Sequence, residues 1–239
     1  MKTIKMFLNP VFVLGLVALI ASCNNPPAVQ EAPKKTIEPV AAPEVAFKSF
    51  PVALYKFSVP DYAKWRIGYD KHDSVRQSYG LTNLAVLRGT ENPNMILVVL
   101  KAADVQKAKT FSALPELREL MKKAGISGAP DISYFNFIRL DSSKSDFKDR
   151  MIITHRVKDF DAWLKVYDAE GKTTRAAEGL MDRSLGRNVD DPNMVRISFT
   201  VTDMAKAKAA INSEEKKKLM MSAGVEGMPK IEFFRDVAN

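Results

Sequence analysis

The feature that most constrains this chain is that its sequence is written twice. Asp61-Tyr62-Ala63-Lys64-Trp65 returns as Asp159-Phe160-Asp161-Ala162-Trp163, an acid, an aromatic and a tryptophan at one spacing. Asn92-Pro93-Asn94-Met95 returns as Asp191-Pro192-Asn193-Met194. Ala124-Gly125 with Gly128-Ala129-Pro130 returns as Ala223-Gly224 with Gly227-Met228-Pro229. The offset is 98 residues between the tryptophans (65 and 163) and 99 between the prolines (93 and 192), so one residue was gained in between. A fixed period of this length means two copies of one supersecondary unit, each of ordinary domain size.

Each copy reads as β-α-β-β-α-β. In the first, Tyr55, Phe57 and Val59 share a parity in a strand over 52–59, as half-buried strands require. Asp61 is placed to cap a helix that runs to about Tyr79 and stops at Gly80. Strands over 81–90 and 95–102 flank the turn Asn92-Pro93-Asn94. Asp104 caps a second helix, broken at Pro115 and ended by Gly125, before a strand over 130–139. The second copy repeats this with strands over 150–157, 180–188, 194–201 and 229–234. Its helices are capped by Asp159 and Asp203, and the second breaks near Asn212-Ser213 without a proline.

This order is the ferredoxin-like split unit, with helices on one face of a four-stranded sheet. The other face must also be covered, because both strand parities are apolar: Ile96, Val98 and Leu100 against Leu97 and Val99. A tandem copy supplies the cover. The expected fold is therefore α+β, two ferredoxin-like βαββαβ units closing an intramolecular pseudo-dimeric α+β barrel. The expected organisation is a signal segment over 1–22, a tether over 23–47, unit one over 48–140, a linker over 141–146 and unit two over 147–239. Fusion of the two halves predicts a monomer.

The acid-aromatic-tryptophan helix start, the Arg88 and Arg187 strands, the Asn-Pro-Asn or Asp-Pro-Asn turns and the Ala-Gly…Gly-x-Pro segments resemble the dimeric α+β barrel superfamily, among its antibiotic-biosynthesis-monooxygenase-like and cyclase-like members. The resemblance spans both copies. It implies the barrel and ligand clefts under the first helix of each unit; the superfamily's functions are too varied for it to imply one.

The N-terminus resembles a bacterial lipoprotein signal. Lys2 and Lys5 precede an apolar run over 11–20, and Ile20-Ala21-Ser22-Cys23 resembles a lipobox. That implies cleavage before Cys23, lipidation of its sulfur and a membrane anchor in the cell envelope. With Asn24 following Cys23, the resemblance favours the outer membrane over the inner. The next stretch carries Pro26, Pro27, Pro33, Pro39 and Pro43 and reads as an extended tether.

Composition narrows the chemistry. Cys23 is the single cysteine and there are two histidines, which excludes intrachain disulfides, thiolate metal sites and cysteine nucleophiles in the folded part, and His-rich metal sites. No Gly-rich phosphate loop or serine nucleophile elbow occurs, so no metal and no cofactor is expected. The net charge is +8, with basic and acidic residues interleaved. Lys216-Lys217-Lys218, preceded by Glu214-Glu215, reads as a solvated helix face, and nucleic acid is not an expected partner.

Candidate site residues lie on the first helices. Tyr62, Trp65, Tyr69, His72, Arg76 and Tyr79 make one stripe. The second copy's stripe is read as Phe160, Trp163, Tyr167, Glu170 and Thr174, with His155 on the first strand where unit one has Phe57. His155, Tyr167 and Glu170 are the catalytic candidates; His155 reads either as a proton acceptor or as a hydrogen-bonded core histidine. His72, Arg76, Tyr69, Arg88, Arg187 and Trp163 are the ligand-binding candidates. Arg88 and Arg187 read as salt-bridge formers or as anion-capturing groups. Three functions stay open: a lipid-anchored protein that binds a small organic molecule or acts as an accessory, a cofactor-independent monooxygenase, isomerase or cyclase, and a structural or interaction protein with filled clefts.

Overall fold

The first strand carries the logic of the whole architecture. In β1 (Phe50–Ser58) Ala53, Tyr55 and Phe57 point one way and Val52 and Leu54 the other, and all five are buried. A sheet buried on both faces needs two covers. The structure, a computed structural model, describes residues 47–126 and 128–237. Cys23, the signal segment and nearly all of the tether lie outside these residues.

The first copy runs β1, α1 (Tyr62–Lys71), α2 (Asp73–Ser78), β2 (Leu81–Gly89), β3 (Met95–Ala102), α3 (Val105–Ala113), α4 (Pro115–Lys123) and β4 (Asp131–Leu140). The second runs β5 (Asp149–Val157), α5 (Phe160–Ala177), β6 (Leu180–Asn188), β7 (Met194–Val201), α6 (Met204–Asn212), α7 (Glu214–Ser222) and β8 (Val225–Asp236). The strands close a barrel in the order β1-β3-β2-β8-β5-β7-β6-β4, antiparallel at every pairing that joins them. Within each copy the order is that of a ferredoxin-like sheet. The copies meet along two seams, β2 with β8 and β4 with β6.

Three cores result. Ala53, Tyr55, Phe57, Trp65 and Phe111 pack between the first sheet and its helices. Met151, Ile153, Trp163 and Phe199 do the same in the second copy. The third core lies inside the barrel, and the first copy supplies most of it: Val52, Leu54, Leu97, Val99, Phe135 and Phe137, met by Ile152 and Phe234.

The four aspartate caps form as the sequence predicts. Asp61, Asp104, Asp159 and Asp203 accept from the backbone N–H of Lys64, Lys107, Ala162 and Lys206. The first helix is not continuous to residue 79: it breaks at His72 (φ −98°, ψ 19°) into α1 and α2. The second copy's helix kinks at the same place, around Gly171 at φ 79° and ψ 155°. There lies the residue that changes the offset from 98 to 99, and glycine adopts its left-handed φ without steric cost. Strand β8 starts at Val225, before Pro229, across a register shift between Thr154 and Arg156 that accommodates the proline.

Candidate functional site

The first copy leaves a recess between α1 and α4. Tyr55 and Phe57 of β1 and Val98 and Leu100 of β3 form its floor. Trp65, Tyr69 and His72 stand on one wall, Leu117, Leu120 and Met121 on the other. The cavity is about 590 Å3, within the range of small-molecule sites. Its aromatic wall is ordered. Phe57 meets Trp65 edge-on at 5.6 Å, and Trp65 stacks on Tyr69 at 4.9 Å.

The polar end of the recess is built on that wall. The Arg76 guanidinium lies 3.7 Å from the centroid of the Tyr69 ring, donates to the Tyr69 carbonyl (2.6 Å) and to Asp73 (2.9 Å), and is buried. The Tyr69 hydroxyl donates to Asn83 Oδ1 at 2.9 Å, and burial pushes its pKa up to about 12, so it remains a phenol. His72 Nδ1 lies 2.7 Å from the Gly68 carbonyl. A carbonyl only accepts, so Nδ1 carries the proton and Nε2 is the acceptor in the neutral ring. The Tyr55 and Tyr134 hydroxyls both meet Ser112 Oγ at 2.7 Å.

The second copy has the same elements but little space beside its tryptophan; an open groove of about 580 Å3 lies between α5 and α7, against Glu170, Glu178 and Lys216. His155, Trp163, Tyr167 and Glu170 do line one recess, as the sequence predicts, but it measures about 70 Å3, room for roughly two waters. Trp163 stacks on Tyr167 at 5.2 Å and lies 5.5 Å from His155. His155 is 5% exposed, and neither ring nitrogen has a hydrogen-bond partner among the described residues. Burial pushes its pKa down to about 4, so it is neutral at pH 7. The reading of His155 as a hydrogen-bonded core histidine is therefore corrected: it is in the core without the hydrogen bonds.

Two cations close this recess. Arg175 sits 4.0 Å over the Tyr167 ring and holds Asp182 with two bonds (2.7 and 2.8 Å) and Glu170 at 3.0 Å. Lys216 of α7 reaches across to α5, binding Glu170 and, at 2.7 Å, Glu178. At the equivalent places the first copy has Leu117 for Lys216, His72 for Glu170 and Tyr79 for Glu178. It cannot form the clasp, and its recess stays open.

Sequence reasoning missed both cations. It matched Arg76 with Thr174, but Arg175 is the counterpart, because Gly171 shifts the remainder of the helix by one residue. The step in the repeat offset was the available signal. Lys216 was hidden in a lysine run read as solvated; its side chain is only 12% exposed. Arg88 and Arg187 lie outside both recesses. Each donates from Nε to the turn proline carbonyl, Pro93 at 2.7 Å and Pro192 at 2.8 Å. Each lies over the first aromatic of its helix, Tyr62 at 4.2 Å and Phe160 at 3.9 Å. They tie the hairpin turn to the helix.

No family model and no curated protein matches this chain. Solved structures do. An anthrone oxidase-like protein matches with a TM-score of 0.56 at 12% identity, over 81% of this chain and 93% of that one. A candidate monooxygenase from Fusobacterium nucleatum matches with a TM-score of 0.52 at 12% identity, over 79% and 93%. Another, from Lactobacillus acidophilus, matches with a TM-score of 0.51 at 14% identity, over 78% and 94%. At such identities the likeness establishes the fold, a dimeric α+β barrel with both halves here in one chain.

Proposed function

We propose that the chain is a cofactor-independent enzyme that removes a weakly acidic proton from a small, planar, largely apolar molecule held in the first copy's recess. One observation carries this reading: a cavity of about 590 Å3 walled by Trp65 and Tyr69 also contains an imidazole whose Nδ1–H is committed to the Gly68 carbonyl. His72 Nε2 is then the general base, with its tautomer already set. The aromatic wall orients the substrate by stacking, and the buried Arg76 holds Tyr69 in place. Isomerisation, cyclisation and reaction of the resulting anion with dioxygen all begin with this step. The names of the structural neighbours support the oxygen-consuming version. His155, Tyr167 and Glu170 are not used, because their recess is too small for such a substrate and Glu170 is held by two cations.

The test uses the full chain with anthrone, with tryptophan quenching to report binding and oxygen uptake to report turnover. His72→Gln is expected to leave binding within about threefold and to lower the rate by about 10²–10⁴. Binding by both proteins with turnover by neither selects the second reading, a small-molecule-binding or accessory protein, which the predominantly apolar recess favours. Absence of binding removes both. For location, the lipobox-like Ile20-Ala21-Ser22-Cys23 supports an anchor in the envelope. Cys23→Ala is expected to move the protein from the membrane fraction to the soluble one; unchanged fractionation would refute the anchor.

A further inference from the structure

The two copies line the inside of the barrel with different chemistry. Where the second copy has Arg150, Ser184, Arg196 and Ser198, the first has Val52, Ala85, Leu97 and Val99. All of these but Val52 border one cavity of about 370 Å3, so the lumen has a polar wall facing an apolar one.

Lys148, Arg150, Arg183 and Arg196 border this cavity against one carboxylate, Asp236; Lys148 is exposed, and Arg183 donates to the Ser143 carbonyl at 2.6 Å. Arg150 is paired with Asp236. At the other end Lys56 binds Glu232 at 2.7 Å and Asp131 at 3.3 Å. Arg196 is different. Its Nη1 meets only the Thr154 hydroxyl, at 3.3 Å, and its buried Nη2 has no partner among the described residues. Among those residues no carboxylate stands within ion-pair distance of it; Glu232 and Asp131 act on it from farther off. Burial pushes its pKa down to about 10. An arginine enclosed this way costs free energy that an anion in the cavity would offset. Two residues along the same face, Ser198 Oγ lies 2.5 Å from Ser184 Oγ. Two hydroxyls carry two hydrogens and their mutual bond uses one, which leaves one donor for a ligand.

We infer that the barrel lumen is a second binding site, distinct from the recess, for an amphiphilic carboxylate whose head group lies against Arg196 and whose chain lies against Leu54, Leu97 and Val99. A buried guanidinium nitrogen without a partner among the described residues calls for an anionic head group, and the apolar wall calls for a hydrocarbon tail. Nothing in this inference depends on the proposed catalysis.

Calorimetric titration of the full chain with decanoate tests it. One decanoate is expected per chain, with acetate and 1-decanol each at least about tenfold weaker, a difference of about 1.4 kcal/mol. Arg196→Met is expected to weaken decanoate by about tenfold or more. Leu117→Lys, which intrudes on the recess only, is expected to leave it unchanged. A variant-free check uses carboxyl-labelled decanoate: the bound carboxyl should titrate at least about one unit below the free acid, as a guanidinium neighbour requires. No binding by the wild type, equal affinity for 1-decanol, full affinity in Arg196→Met, loss in Leu117→Lys, or an unshifted carboxyl titration would each overturn the inference.

Discussion

Phe57 and His155 occupy the same place in the two copies, on the first strand and against the helix tryptophan, at 5.6 and 5.5 Å. The phenyl ring satisfies that place; the imidazole leaves two buried nitrogens without partners among the described residues. The folded His155 binds its proton only near pH 4, against 6.5 when unfolded. Between those values unfolding takes up a proton. Stability from this residue is fully present above about pH 6.5 and falls as pH drops towards 4, by up to about 3 kcal/mol. His155→Phe should remove that part of the acid dependence and stabilise the protein at pH 7 by about 1 kcal/mol. Urea denaturation at pH 4.5 and 7 measures both; parallel pH slopes for the two proteins would contradict the assignment. The position of His155 beside Trp163 and Tyr167 was legible from strand parity and helix spacing. Its neutrality was not, since that depends on a recess closed by side chains far away in sequence.

The elements differ in how much of them the sequence exposed. Helix starts were readable because an aspartate cap is local chemistry, complete within three residues. The clasp was not, because Glu170, Glu178 and Lys216 meet only when α5 and α7 pack. Lys216→Leu, which installs the first copy's residue, strips Glu178 of that partner while Glu170 keeps Arg175. A loss of about 2 kcal/mol is expected, between the values for exposed and buried pairs. Amide hydrogen exchange should speed up along α7 and not along α4. Gly179 ends α5 at φ 78°, where an added Cβ would stand 2.6 Å from the Asp203 carbonyl oxygen. Gly179→Ala should therefore cost more than the 1–2 kcal/mol or so of left-handed strain alone, read from the denaturation midpoint. Gly171 has nothing within 4 Å of its Cβ position, but its φ of 79° and ψ of 155° lie in a region essentially confined to glycine, so Gly171→Ala should cost about 1–3 kcal/mol in backbone strain without a clash.

At the scale of the molecule, the apolar residues on both strand faces of the first copy made the barrel legible, because its sheet cannot fold with one face wet. What fills each cavity was not legible, since volumes depend on how helices settle against sheets. The whole chain is expected to sediment as a monomer at micromolar concentration. Residues 48–140 alone would expose Val52, Leu54, Leu97 and Val99 together with the free edges of β2 and β4, and should self-associate; a monomeric, folded half would contradict the need for a second sheet. The seams themselves are unequal, with three register pairs joining β2 to β8 and five joining β4 to β6. Two identical subunits related by a twofold axis would have to repeat every mutation on both sides. Joined in one polypeptide, the halves are released from that symmetry, and each can drift alone, one kept hollow while its sibling is sealed by a lysine.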